Sequence, residues 1–126
     1  MTIKEFVYKT MRDDVTLRAL LSKTVTPYGI YFLSPPKVPK FPIVTYFVNA
    51  QTGRFPRDIP FNITAWGNNF VAIQDRIYTL LHNQVVETTD FHNLMLKWDW
   101  ASPELYDMNY KIYFQQSRYL CKGIKV

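Results

Sequence analysis

Few residues in this 126-residue chain could do covalent or metal chemistry, and they do not converge. His82, His92 and Asp90 come nearest to a metal set. A strand carrying Asp90 and His92 on one face nevertheless supplies no third convergent ligand. The alternative for each imidazole is local. His82 would sit at the end of an amphipathic helix, where the dipole favours its charged form, and His92 on a strand surface. Cys121 is the single cysteine, which excludes an intrachain disulfide and any cysteine-based metal site. As a nucleophile it would need one of the histidines, and it lies among Lys122 and Lys125, where fraying is expected. Gly29, Gly53, Gly67 and Gly123 are isolated and form no phosphate cradle. Asn62-Ile63-Thr64 has the form of a glycosylation acceptor but no secretory context. The residues therefore predict a non-enzyme without catalytic, cofactor or metal site.

Elements that hold no chemistry must serve shape, and composition says which elements. The length corresponds to a single domain, residues 1–126, able to bury a core without staples. Aromatic residues make up 17% and only four glycines occur, which excludes collagen-like and linker classes and favours strands. A start without an apolar leader, no membrane-length apolar run and a free thiol lead us to expect a soluble intracellular protein.

The net charge of +5 is unevenly placed. Residues 37–57 hold Lys37, Lys40, Arg54 and Arg57 with no acid, and residues 108–126 hold Lys111, Arg118, Lys122 and Lys125 with no acid. Between them, residues 58–107 carry seven acids against Arg76 and Lys97. Such segregation suits nucleic acid, an acidic partner, or head-to-tail packing of copies of the chain.

Thr2-Ile3-Lys4-Glu5 has the form of a capping box, and Ile3, Phe6, Val7 and Met11 follow at helical spacing. Asp14 can cap a second turn set through Leu17, Leu20 and Leu21, so residues 2–22 read as one kinked helix or two short ones. Strands are predicted at 30–33, 43–48 and 61–66, with a long basic connection from Asn49 to Pro60. Asn69 offers a cap for an amphipathic helix over 69–83, whose stripe is Phe70, Ile73, Ile77, Leu80 and Leu81, with Gln74, Asp75 and Arg76 turned outward. Leu94, Leu96, Trp98 and Trp100 alternate with Met95, Lys97 and Asp99 in a period-2 run, and residues 108–119 supply a last strand. There Tyr110, Ile112 and Phe114 are expected to face inward, with Lys111, Tyr113 and Gln115 on the opposite, wet or subunit-facing side. The expected fold is α+β, a mixed or antiparallel sheet of four to five strands with two main helices packed on one face. Trp98, Trp100, Phe70 and Phe114 are expected in the core. Tyr28, Phe55 and Tyr106, in loops or near breaks, fit core or interface equally.

Taken in order, these pieces resemble the tail terminator (tail-completion) proteins of long-tailed phages, the lambda-type family and its relatives. The resemblance rests on a first helix ending in Leu17-Arg18-Ala19-Leu20-Leu21 and on the approach Pro35-Pro36-Lys37-Val38-Pro39-Lys40. It continues through Phe41-Pro42 leading into a strand, then Phe61 to Trp66 leading into the helix Ala72 to Leu81, and the late strand Met108 to Phe114. It implies a structural protein that assembles in the host cytoplasm as a homo-hexameric ring at the tail–head junction of the virion. Such a ring ends polymerisation of the major tail tube protein, presents a docking surface to a head-completion or connector protein, and lets DNA pass without reading its sequence. No cofactor or catalytic residue comes with it. Another head–tail connector, a stopper or neck protein, is a neighbouring reading.

Two function classes stand beside each other at this point. A ring-forming protein would use the charge segregation in a closing interface between copies. Its candidate interface or lumen residues are Lys37, Lys40, Arg54, Phe55, Arg57, Lys111 and Arg118. A nucleic-acid-binding module would use the same basic loop, with Phe55 stacking between the phosphate contacts of Arg54 and Arg57. A solvated basic loop is the plain alternative to both.

Overall fold

Two short helices begin the fold because two side chains cap them. The structure, a computed structural model, describes residues 2–22, 29–48, 59–89 and 91–125. Thr2 Oγ1 accepts from the Glu5 N–H at 3.2 Å and starts α1 (Ile3–Arg12), which buries Ile3, Val7 and Met11. Asp14 accepts from the Leu17 N–H at 2.8 Å and starts α2 (Val15–Leu20), which buries Leu17. The chain then forms β1 (Ile30–Phe32), β2 (Ile43–Val48), β3 (Ile59–Trp66), α3 (Phe70–Leu81), β4 (Val85–Val86), β5 (Phe91–Ala101), β6 (Leu105–Asp107) and β7 (Ile112–Lys125). The described residues thus hold three helices and seven strands, more strands than the four to five expected. β4 and β6 have two and three residues, too short to show a period.

The sheet is mixed, in the order β1-β2-β3-β7-β5-β4, with β6 also paired to β7. β1 runs parallel to β2, and every other pairing is antiparallel. All three helices contribute to a core against one face. There Phe61 and Tyr119 stack at 5.2 Å between ring centres, with Ile63, Ile73, Ile77, Leu94, Leu96 and Cys121 around them. Among the described residues no helix is long and apolar enough to cross a membrane.

Several expected orientations reverse. β3 and β7 pair without interruption from Ile59↔Cys121 to Trp66↔Phe114, so Phe114 shares a face with Trp66 and lies opposite the helices. Gln115 faces the helix side, across from Ala65. Residues 108–111 are a turn and not strand; Lys111 has φ 54°, and Asp107 Oδ1 accepts the N–H groups of Asn109 and Tyr110 at 2.9 and 2.8 Å. The reason for the reversal is a second apolar cluster on the opposite face of the sheet. Trp66 stacks on Phe114 at 4.6 Å between ring centres, and Phe41 and Tyr110 pack around the pair.

Trp98 and Trp100 are also displaced from the expected core, at 42% and 47% exposure. Trp98 keeps the helix-side face, opposite Tyr119, but reaches the rim of the helix layer. Between Trp98 and Trp100 the β5–β7 register shifts by one residue, and this bulge turns Trp100 to the outer face beside Arg118. A single extra residue is enough to undo a period-2 reading.

Gln74 points inward rather than outward. Its Nε2 donates to the carbonyls of Ile63 and Gln115 at 3.2 and 2.9 Å, tying α3 to two strands. Arg76 reaches Asp14, and Asn69 leaves the cap unmade to donate from Nδ2 to the Leu20 carbonyl at 2.9 Å. β7 does not fray at Cys121, whose thiol is fully buried and pushed up to about 12 by desolvation. Burial also raises the Tyr119 hydroxyl. Both groups are neutral below the ordinary thiol value of 9.0, and the unfolded chain ionises first above it, so stability falls as pH rises past that point. We expect Cys121 to resist a thiol-specific reagent in the folded protein near neutral pH and to react at once in denaturant. Rapid labelling of the native state would contradict the packing described.

Candidate assembly surfaces

The outer sheet face is built by the alternation of four neighbouring strands, β2, β3, β7 and β5. One cross-strand row reads Phe47, Asn62, Arg118 and Trp100. Arg118 donates from Nε to Asp99 Oδ2 at 2.7 Å, and its guanidinium lies 6.0 Å from the Trp100 ring centre. The bulge that turns Trp100 outward also brings Asp99 to Arg118, so this basic group is neutralised within the chain. Beside the row, Lys97 pairs in register with Leu120, and Met95 with Lys122.

A second surface is the end of the β6–β7 hairpin. Tyr106 and Tyr113 meet edge to face at 4.9 Å, and Leu105, Met108 and Tyr110 are also exposed on this hairpin, Met108 at 80% exposure. Ser102 joins this end to the rest of β5: its N–H donates to the Gln116 carbonyl, and its Oγ accepts from the Gln116 N–H. Exposed large apolar side chains held on a hydrogen-bonded hairpin are what a docking surface requires.

The third surface is the strap of residues 33–42, which leaves the end of the edge strand β1 and returns to the start of the parallel strand β2. Its prolines are Pro35, Pro36, Pro39 and Pro42, and it exposes Lys37, Val38 and Lys40. The Phe41–Pro42 peptide is cis, and Phe41 anchors the strap to Trp66 and Tyr110.

The basic residues singled out from the sequence are thus dispersed. Lys37 and Lys40 share the strap. Lys111 sits at the hairpin end, about 20 Å along the extended chain from Arg118. Arg54, Phe55 and Arg57 lie outside the described residues, as does Tyr28, while Tyr106 is exposed on the hairpin. The exposure of Trp98 and Trp100 was not legible, because it depends on where α3 ends and on a bulge, whereas Tyr113 is exposed as its place opposite Phe114 predicts.

The two histidines are engaged locally. Trp98 N–H donates to His82 Nδ1 at 3.0 Å, which ties the end of α3 to β5. His92 Nδ1 lies 3.0 Å from Glu87 Oε2, and Glu87 Oε1 accepts the Asn93 N–H at 3.0 Å. These bonds hold the Glu87 carboxyl below its usual range, the Asn93 N–H contributing most, and fix the second β5 bulge, where Asn93 has φ 49°.

The fold is similar to that of a chain from the virion of a native gene transfer agent (GTA) particle. The two superpose with a TM-score of 0.66 at 16% sequence identity over 95% of this chain and 92% of that chain. This likeness shows the α+β fold with its mixed sheet. No family model matches the chain, and no curated protein matches it by sequence.

Proposed function

We propose that this protein is a virion structural protein that assembles into a ring capping a phage-type tail tube, ending its polymerisation and presenting a surface to the head. The observation that carries the reading is the likeness over nearly the full length of both chains to a component of a gene transfer agent virion. The ordered resemblance of the sequence to tail terminators supports the finer role. The exposed hairpin end and strap supply apolar and charged surface on different parts of one subunit, as a closed ring of identical copies needs.

In this reading the partners are five further copies of the chain, the major tail tube protein and a head-completion or connector protein. DNA passes through the ring without sequence recognition. The pairing of Arg118 with Asp99 favours this over a nucleic-acid-binding module, since it removes one cation from any phosphate track. The protein needs no cofactor, carries out no catalysis and sits at the tail–head junction of a particle assembled in the cytoplasm.

Light scattering and electron microscopy test it together. The expected result is a discrete oligomer, either alone or on mixing with tail tubes, with rings on one end of each tube. A strict monomer that leaves tube ends bare at every concentration would overturn the reading. Rings that bind a head connector but never a tube would indicate a stopper or neck protein instead.

A further inference from the structure

A cleft of about 390 Å³ opens between α3 and the β5–β7 pair. Tyr78 and Trp98 are among its walls, both half-exposed, together with Asp75 and the buried Gln74. Gln74 is oriented without ambiguity, because its Nε2 donates to two carbonyls and an exchanged amide would set oxygen against both. Its Oε1 is consequently a buried acceptor with no hydrogen-bond partner among the described residues. Asp75 is exposed, and its carboxylate has no internal cation among the described residues. No basic residue lines the cleft. The half-exposed rings of Trp98 and Tyr78, the latter stacked on His82 at 4.5 Å between ring centres, and a free carboxylate together select a cation on an aliphatic stem, whose stem lies on the aromatic surface and whose N–H groups meet the Asp75 oxygens.

Resting on the ring reading above, we propose that this cleft receives the strap of a neighbouring copy, with Lys37 or Lys40 directed to Asp75. Both lysines are exposed and have no internal partner among the described residues. Between them, Val38 is 80% exposed and supplies apolar surface to cover Trp98. The prolines of the strap restrict the unbound segment, which lowers the entropy lost on docking. The placement also fits. The strap leaves the β1 edge of the sheet, while the cleft lies at β5 and β7 towards the other edge. Two different, complementary patches on one subunit are the requirement for a head-to-tail interface that closes into a ring.

Charge reversal on both sides tests this by sedimentation velocity, with tail tubes added where assembly requires them. Asp75→Lys is expected to weaken assembly at least about tenfold. Lys37→Glu with Lys40→Glu should do the same, and combining these with Asp75→Lys should restore the oligomer. Trp98→Ala provides a second route to loss, with circular dichroism confirming that each variant is folded. If the wild type assembles and Asp75→Lys assembles equally well, the cleft is not the interface although the ring stands. If both single reversals fail and the combination does not recover, the strap is not the occupant. A wild type that never assembles, with or without tubes, removes the ring reading and the interface with it.

Discussion

Gly67→Ala is expected to lower stability by about 2–4 kcal/mol, the combined order of an unfavourable backbone angle and an overpacked contact. Gly67 follows β3 with φ 148°, a conformation L side chains rarely adopt. An added Cβ would lie 2.7 Å from Pro42 Cβ and 3.3 Å from Pro42 Cα, and the proline ring has little freedom to withdraw. Movement of Gly67 itself is opposed by two hydrogen bonds: its N–H donates to the Tyr113 carbonyl at 2.9 Å, and its carbonyl accepts from Phe70 N–H at 3.3 Å. The one residue therefore ties the strap, the start of α3 and the start of β7. Denaturant unfolding should show a lower midpoint with an unchanged slope. A loss below about 1 kcal/mol would mean that this junction relaxes freely.

Asp14→Ala should cost about 2–3 kcal/mol, because the carboxylate serves two structures at once. It caps α2 through the Leu17 N–H, and it accepts Arg76 Nε and Nη2 at 2.8 and 2.7 Å, a two-pronged bond between α2 and α3. Its carboxyl is held below the usual range, chiefly by the hydrogen bond from Arg76. A lowered native value contributes stability that is full above the ordinary 3.8 and fades as pH falls through the native value. Asp14→Asn keeps a good cap but loses the charge, so it should be milder than Asp14→Ala and should flatten the acid limb of the stability profile. An acid limb unchanged in Asp14→Asn would assign that limb to other carboxylates.

Local chemistry made part of this fold legible. The Thr2 and Asp14 caps, the stripe Phe70, Ile73, Ile77 and Leu81, and the dense β-formers of Ile43–Val48 each act within a few residues, and the structure has them where the pattern placed them. The failures are non-local. Gln74 turns inward because carbonyls of Ile63 and Gln115, far away in the chain, need a donor. Trp100 turns outward because β5 carries one residue more than β7 opposes, and no feature of Trp98-Asp99-Trp100 announces that. The strap lysines could be read from charge alone, whereas the cleft proposed to receive them exists only once α3 lies beside β5.

The strand order also governs when folding can occur. β7 lies at the centre of the sheet, paired with β3, β5 and β6, yet it is synthesised after all of them. Ile59 must find Cys121 across most of the second half of the chain, a closure whose entropy is lost before its contacts form. An emerging chain can form its helices and the β2–β3 hairpin early, but both flanks of the sheet await the same final strand. Until β7 inserts, Phe61 and Leu96 lack their neighbours and the nascent chain is open to aggregation. Damage to β7 should therefore abolish the soluble protein altogether, not merely loosen one edge of it.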